Sequence, residues 1–408
     1  MSWSTFNWAE WLLLGVLAFG LFQHVSGFFV STWFAKRLKP PPLPDGPAPG
    51  VTIIKTCVGV DDGERELFDA LFRQDYPGPL QLIFTVPNLE CAANPVIDEY
   101  LKKYPNVDAM KLVSTTRLAA YRKVDAVYDA HPHVKHPLVA WSDSDVVTTT
   151  HFVRDVAASL LEPGVSMVST PQFDVGADNF ATALKTVGNN VDNATMVPWY
   201  LLTYRPVRMV VGHLIAFHKK DLDELADELW ATLRIALADD QGTGLTFAKH
   251  GKKIVFRNIH NPVRFAGKTM KAMVNQKERH SICQQAGAGS KWAYLAYMFM
   301  YAQIPATLWL LTHPLQPSAG AVFATPFIIR TLLALWVERL FLGTVSMTLK
   351  WFWTIPLWDL AEAYFILKAT ITQRVDYHGK WYEVVDRIYL RPEGEKPADT
   401  TSTTAARP

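Results

Sequence analysis

Leu138–Val146 reads LVAWSDSDV. Its first half is too apolar for a strand with one wet face, and it ends in two carboxylates two positions apart, Asp143 and Asp145. Residues two apart in a strand face the same way, so both acids are expected on one side of a strand tip. Three comparable runs precede it, Val51–Val58, Leu80–Val86 and Ala109–Ser114. Amphipathic stretches such as Glu64–Phe72 and Pro95–Tyr104 lie between them. Strands alternating with helices at this spacing predict βαβ units and a mostly parallel α/β sheet covered on both faces. Ligands of such sheets bind outside the carboxyl ends of the strands, which directs attention to the loops after residues 58, 86 and 142. Two carboxylates there form a hard-oxygen site suited to a divalent metal holding phosphates. The plainer alternative is a solvated strand end.

Outside this middle the chain is built for a membrane. Of 408 residues only 19% are charged, against about 25% in soluble domains. A net charge of +2 excludes a strongly electrostatic nucleic-acid binder. Three distant cysteines, Cys57, Cys91 and Cys283, exclude a disulfide scaffold or CxxC zinc site and fit a reducing, cytosol-facing compartment. Trp11–Trp33 carries no charged residue and is long enough to cross the hydrocarbon core. Lys36, Arg37 and Lys39 follow it, so the positive-inside rule places the N-terminus outside and the following chain in the cytosol. Residues 292–311, with a kink expected at Pro305, and residues 319–342, carrying Arg330, Glu338 and Arg339, are two further expected spans. Residues 351–371 contain Asp359 and Glu362 and are assigned to the interface.

The expected organisation is an anchor (1–37), a Pro-rich linker (38–50), a cytosolic α/β domain (51–264) and a basic amphipathic interfacial segment (265–291). Membrane and interfacial helices (292–371) follow, then a cytosolic tail (372–408) with a disordered end. Asp239-Asp240 opens a helical stretch, DDQGTGLTFAKHG, where acids are either functional or ordinary first-turn caps. Spacing alone leaves both readings open. Residues 252–291 hold nine Lys or Arg against one acid, Glu278. Such a stretch attracts anionic headgroups or holds the phosphates of a substrate.

In this order the features resemble family 2-type glycosyltransferases, and more closely the ceramide glucosyltransferase group, glycosyltransferase family 21. The resemblance is carried by KTCVGVDDG (55–63), FRQDYPG (72–78), KYPNVDA (103–109) and SDSD (142–145). ADDQGTGLTFAKHGKKIVF (238–256) and QKERH (276–280) complete it. It implies a GT-A fold, a Rossmann-like nucleotide-diphospho-sugar transferase domain, joined to transmembrane and interfacial helices. It further implies an inverting enzyme moving a sugar, glucose first, from a UDP-sugar donor to a lipid hydroxyl, with Mg²⁺ or Mn²⁺ as cofactor. Ceramide is the leading acceptor, with a hopanoid or glycerolipid as alternatives. The location implied is an inner membrane in a bacterium, or the Golgi or endoplasmic reticulum in a eukaryote.

By the same resemblance Asp143 binds metal and diphosphate, and Asp145 is the second metal-binding acid. Asp240 is the general base, and Gln276 and Arg279 belong to a Q-x-x-R motif beside the diphosphate and acceptor. Gly59, Val60 and Asp61 form the nucleotide-side loop. Lys123 matches a lysine of an N-x-K-x-x-N segment that here reads YRKVDA. Asp239, about 100° of helix turn from Asp240, is expected to contribute little. The chain departs from the pattern in three places. The second-strand loop reads VPNLECAA, with Cys91 where an aspartate is usual and Glu90 offered as the substitute acceptor of hydrogen bonds. His280 stands for the usual Trp after the arginine, and His213 where a small residue is common. Two rivals remain: a polysaccharide synthase, which too few spans disfavour, and a non-catalytic relative, supported only by the altered acid loop.

Overall fold

The computed structural model describes residues 7–57, 64–204, 206–288, 290–377, 380–386 and 389–393. Strands β1 (Val51–Thr56), β2 (Leu80–Val86), β3 (Asp108–Val113) and β4 (Leu138–Asp143) form within one or two residues of the apolar runs. They are joined through α2 (Glu64–Phe72), α3 (Asn94–Lys103) and α4 (Arg122–Ala130), with α1 (Trp8–Arg37) ahead of them. After β4 come α5 (Phe152–Leu160), β5 (Val165–Ser169), β6 (Asp174–Val175), α6 (Phe180–Thr203) and β7 (Leu214–His218). Then follow α7 (Lys219–Glu224), α8 (Ala226–Ile235), α9 (Asp239–Lys249), β8 (Lys253–Phe256) and β9 (Val263–Arg264). The main sheet has the order β3-β2-β1-β4-β7-β5-β8, and only β7 runs against its neighbours. β6 and β9 make a separate parallel pair.

Both faces of the sheet are buried, which explains why its strands show no polar alternation. Ile54, Ile83, Val139 and Trp141 point to one side, where Phe217 and Phe247 meet them. Ile53, Leu82, Phe84 and Ala140 point to the other, against α2 through Phe68 and α5 through Val153. The first of these cores also contains Phe34 of α1 together with Leu333 and Phe341 of a C-terminal helix. Helix α1 is therefore packed into the same core as the α/β domain, against α6 and that C-terminal helix, and is not tethered at a distance. The Pro-rich stretch 38–50, expected as a spacer, is likewise fastened. Leu38 O accepts from Asn258 N at 2.7 Å, Gly50 O from Leu138 N at 3.3 Å, and Pro49 O from the Tyr76 hydroxyl at 2.5 Å.

The C-terminal third comprises α10 (Met270–Gly287), α11 (Lys291–Leu295), a 3-10 turn (Ala296–Met300), α12 (Gln303–Thr312) and α13 (Pro317–Leu342). After these come α14 (Ser346–Trp351) and α15 (Ile355–Ile371). By length and composition α1 and α13 are able to cross a membrane, and the stretch 291–312 is a third span if its two bent parts count as one. The bend of 68° falls between Met300 and Gln303 and not at the expected Pro305, which sits in the first turn of α12. Proline is tolerated there because first-turn N–H groups have no intrahelical partner to lose. α12 runs against α1: its start meets Gly20, where a Cβ would lie 2.8 Å from Ala302, and its end meets Glu10 through His313 at 2.9 Å. α15 has 17 residues and turns Asp359 and Glu362 inward, with Leu357, Leu360, Tyr364 and Leu367 exposed.

Two stretches carry contacts that composition alone did not show. The stretch 265–291 is no free basic surface: Lys277 is buried and paired with Glu362 at 2.6 Å, and Lys368 binds Glu278. Residues 372–393 are no loose tail, because β10 (Arg374–Tyr377), β11 (Lys380–Val385) and β12 (Tyr389–Pro392) form an antiparallel sheet. Its inward residues Val375, Tyr377, Val384 and Leu390 pack with Leu237 and Ile282. The end from residue 394 lies outside the described residues.

Candidate active site

In register, Thr56 of β1 stands opposite both Thr85 and Asp143, so the carboxyl ends of β1, β2 and β4 are level. β7 runs the other way and therefore delivers its entry, Gly212-His213, to the same rim, where His213 O accepts from Asp143 N at 3.1 Å. Asp143 is the last residue of β4, and Asp145 lies in the turn after it. Strand alternation, from which a shared facing was expected, therefore does not extend to Asp145. The buried Lys55 of β1 pins that turn, donating to Asp143 O at 2.8 Å and Val146 O at 3.3 Å. Lys55 was not legible as a site residue, although a lysine inside so apolar a strand is itself a signal.

Lys123, in the first turn of α4, is the centre of the site. Its ammonium is buried and lies 2.7 Å from Asp143 Oδ1 and 2.9 Å from Asp239 Oδ2, and it also donates to Gly212 O. Burial works against its charge, but Asp143 and then Asp239 outweigh it and hold it well above the ordinary lysine range. The two acidic motifs, almost a hundred residues apart, thus meet on one cation. Asp239 does not point elsewhere, as its place one residue before Asp240 led us to expect. It is buried in the cluster. A helix start presents successive residues around its rim, so N1 turns into the sheet edge while N2 turns along it.

Asp240 lies on that second side. Its Oδ1 accepts from Gln241 N at 2.7 Å, and a Cβ on Gly212 would come within 3.3 Å of its Oδ2. Among the described residues no cation pairs with it. Burial, then the neighbouring Asp239, pushes its carboxyl up to about 7. Burial and Asp143 push Asp145 likewise to about 7. His213, the departure noted above, is built into the frame: its Nε2 lies 3.0 Å from both Thr170 Oγ1 and Asn261 Nδ2. Burial lowers it to about 3, so it stays neutral beside Lys123.

Arg279 and Gln276 come from α10. The Arg279 guanidinium lies over the rings of Tyr121 at 5.8 Å and Tyr377 at 5.5 Å and has no ion pair among the described residues. Gln276 Oε1 is buried without a hydrogen-bond partner among them. A guanidinium held between rings keeps its donors for a ligand. Tyr121 and Tyr377 were missed in the sequence. Tyr121 is kept protonated by burial and by Asp143, and Tyr377 donates to Leu237 O, just ahead of Asp239. The alternation of Arg374–Tyr377 and Lys380–Val385 around His378-Gly379 was the available hairpin signal. His280 is kept neutral by burial and by Arg279 beside it. Glu90 is exposed in the β2–α3 loop and is not drawn into the cluster, while Cys91 beside it is buried and donates its thiol to Cys57 O at 3.9 Å. Gly59, Val60 and Asp61 lie outside the described residues.

A mostly parallel sheet with this order, its acids converging at the carboxyl ends, defines the GT-A fold of nucleotide-diphospho-sugar transferases. A mannosyltransferase from Pyrobaculum calidifontis, solved with GDP-Man and Mn²⁺, shares that fold: TM-score 0.51, 16% identity, 86% of this chain and 99% of that one. The family model for glycosyl transferase family 21 matches residues 19–387, and the chain belongs to that family. Among curated relatives, ceramide glucosyltransferase 1 of Caenorhabditis elegans is 29% identical over 138 residues, 34% of this chain and 29% of that one. The ceramide glucosyltransferase of Candida albicans is 29% identical over 122 residues, 27% of this chain and 22% of that one. The chain thus spans less than a third of the length of the curated relatives it matches.

Proposed function

We propose that the protein is a membrane-bound inverting glycosyltransferase that moves a sugar, glucose first, from a UDP-sugar to a lipid hydroxyl, with ceramide as the leading acceptor. The observation that carries this reading is the single cluster of Asp143, Lys123, Asp239 and Asp240, with Arg279, which has no ion pair among the described residues, beside it. The relatives that act on ceramide, and the mannosyltransferase that holds a nucleotide sugar, support donor and acceptor class.

Asp143 and Asp145 fit a divalent cation. They are two hard-oxygen donors in one turn, and Asp145 has no ion pair among the described residues while burial beside Asp143 disfavours its charge. Bound there, Mg²⁺ or Mn²⁺ would supply Lewis-acid neutralisation of the diphosphate. Arg279 and Gln276 offer donors to the charge that appears on the departing UDP. Asp240 accepts the proton of the acceptor hydroxyl as its oxygen bonds the anomeric carbon and the bond to diphosphate breaks. With the acceptor oxygen itself attacking the anomeric carbon, the reaction is a single displacement, which inverts the anomeric centre.

Purified protein incubated with a UDP-sugar panel and a lipid extract should yield a glycosylated lipid by mass spectrometry, with UDP release dependent on lipid. Release without any lipid product would sink the reading. Chelation should stop transfer, and Mn²⁺ or Mg²⁺ should restore it; full activity in excess chelator removes the metal from the mechanism. For orientation, cysteines placed at Asp45 and Lys380 should be labelled only from the cytosolic side, and one at the exposed Leu315 only from outside. Outside labelling at position 380 would overturn the three-span topology.

A further inference from the structure

The basic stretch 252–291 had two possible partners, anionic headgroups or the phosphates of a substrate. Several of its cations are spoken for within the chain. Lys252 binds Asp221 at 2.9 Å, Arg257 Nε binds Glu162 at 3.0 Å, and Lys277 binds Glu362 at 2.6 Å. Arg264 differs from these, and three observations decide what it takes.

The first is its place. β9 runs along the turn that carries Asp145. Val147 N donates to Pro262 O at 2.7 Å and Arg264 N to Asp145 O at 2.8 Å, on either side of an antiparallel bridge between Val146 and Val263. Val263 is buried, so alternation along β9 turns Arg264 to the opposite side. Its side chain therefore leaves the backbone directly beside the Asp143–Asp145 turn, and its stem passes Gly176, where a Cβ would lie 3.5 Å from Arg264 Cγ.

The second is that the neighbouring carboxylates are taken. Asp143 binds Lys123 at 2.7 Å and Asp174 binds Lys185 at 2.7 Å. Asp178 accepts from Gly267 N and from Thr182 Oγ1, both at 3.0 Å. Asp145 is joined to Arg264 through its carbonyl, yet the two side chains form no ion pair.

The third is the open guanidinium itself. Arg264 has no ion pair and no side-chain hydrogen bond among the described residues, and its Nε is buried without a partner. A guanidinium stays charged and can only donate. A buried donor without an acceptor is costly, so its natural complement is an oxygen-rich anion.

We propose that Arg264 is a second phosphate-binding arginine, whose guanidinium holds the donor's diphosphate from the side of the Asp143–Asp145 turn while Arg279 meets it from α10. An anion between two arginines on separate elements is fixed in direction as well as neutralised. The proposal rests on the nucleotide-sugar transferase reading.

Full-length protein in detergent with Mn²⁺ is titrated calorimetrically with UDP and with uridine. Arg264→Gln keeps the main-chain bond to Asp145 O and removes only the guanidinium. UDP affinity should fall roughly 10- to 100-fold while uridine affinity stays at the wild-type value. Unchanged uridine binding also shows that the variant has folded. Mn²⁺ affinity, read by electron paramagnetic resonance without nucleotide, should not fall, because removing a nearby cation cannot weaken a cation site. Arg264→Lys keeps the charge and loses the fork, so its loss should be smaller and again confined to UDP. It carries the same comparison if the glutamine variant does not fold. Wild-type UDP affinity in both variants would overturn the role of Arg264 and leave the transferase standing. Equal losses for UDP and uridine, or a fall in Mn²⁺ affinity, would make Arg264 a prop of the turn and overturn the phosphate contact. A wild-type protein that binds no UDP would overturn the transferase reading and this proposal together.

Discussion

Asp240→Asn should bind UDP as the wild type does and lose sugar transfer by roughly 10²–10⁴-fold, the usual contribution of a positioned proton acceptor. The substitution keeps size and the hydrogen bond from Gln241 N but removes the ability to take a proton. The carboxyl is pushed up to about 7 by burial and by Asp239. Only its ionised form accepts, so wild-type transfer should climb with pH, about tenfold per unit, and level off near pH 7. In the Asn variant this limb should vanish. Transfer and UDP affinity measured across pH 5–9 would check both; near-normal transfer by Asp240→Asn means that the base has been wrongly assigned. An identical pH limb in the variant would assign the ionisation to another group.

Lys123→Met should be the most damaging change to the frame of the site. It leaves Asp143 and the buried Asp239 facing each other without their shared cation. Removing one member of a buried ion cluster costs about 3–5 kcal/mol, because the remaining charge stays desolvated and unpaired. The variant should unfold at lower temperature in detergent and bind UDP-sugar poorly. Adding Asp239→Asn removes one of the stranded charges, so the double variant should regain part of the lost stability without regaining full transfer. A Lys123→Met protein with unchanged melting and donor affinity would remove Lys123 from the centre of the cluster. On this geometry Asp239→Asn alone is also harmful, through Lys123 and not through proton transfer. Its remaining activity should therefore keep a pH limb, moved to lower pH because Asp239 no longer pushes the Asp240 carboxyl up.

Much of the architecture was legible from residues. Runs such as Val51–Thr56 and Leu80–Val86 are apolar on both faces because helices cover both sides of the sheet, and that pattern needs no tertiary information. Trp11–Trp33 and Ala319–Leu342 are legible because their length and apolar composition suffice to cross a membrane. Asp143 could be picked out as an acid at a strand end, whereas Asp240 and Arg279 were named only through the family resemblance, since spacing left the helix-start acids open.

What the sequence could not supply is who faces whom. Asp143 and Asp239 are separated by ninety-six positions, and only the antiparallel entry of β7 and the docking of α9 bring them onto Lys123. Periodicity reports how much of a residue is covered, not by what. Thus Lys277 read as one charge of a basic surface, yet Glu362 neutralises it in the interior. The stretch after residue 372 read as a tail, yet Tyr377 holds one side of Arg279. Local sequence determined the elements, the spans and the chemical classes of the acids, since propensity and burial act within a few residues. The tertiary structure decided the pairings, because the energy of a buried charge depends on the one partner that reaches it through space.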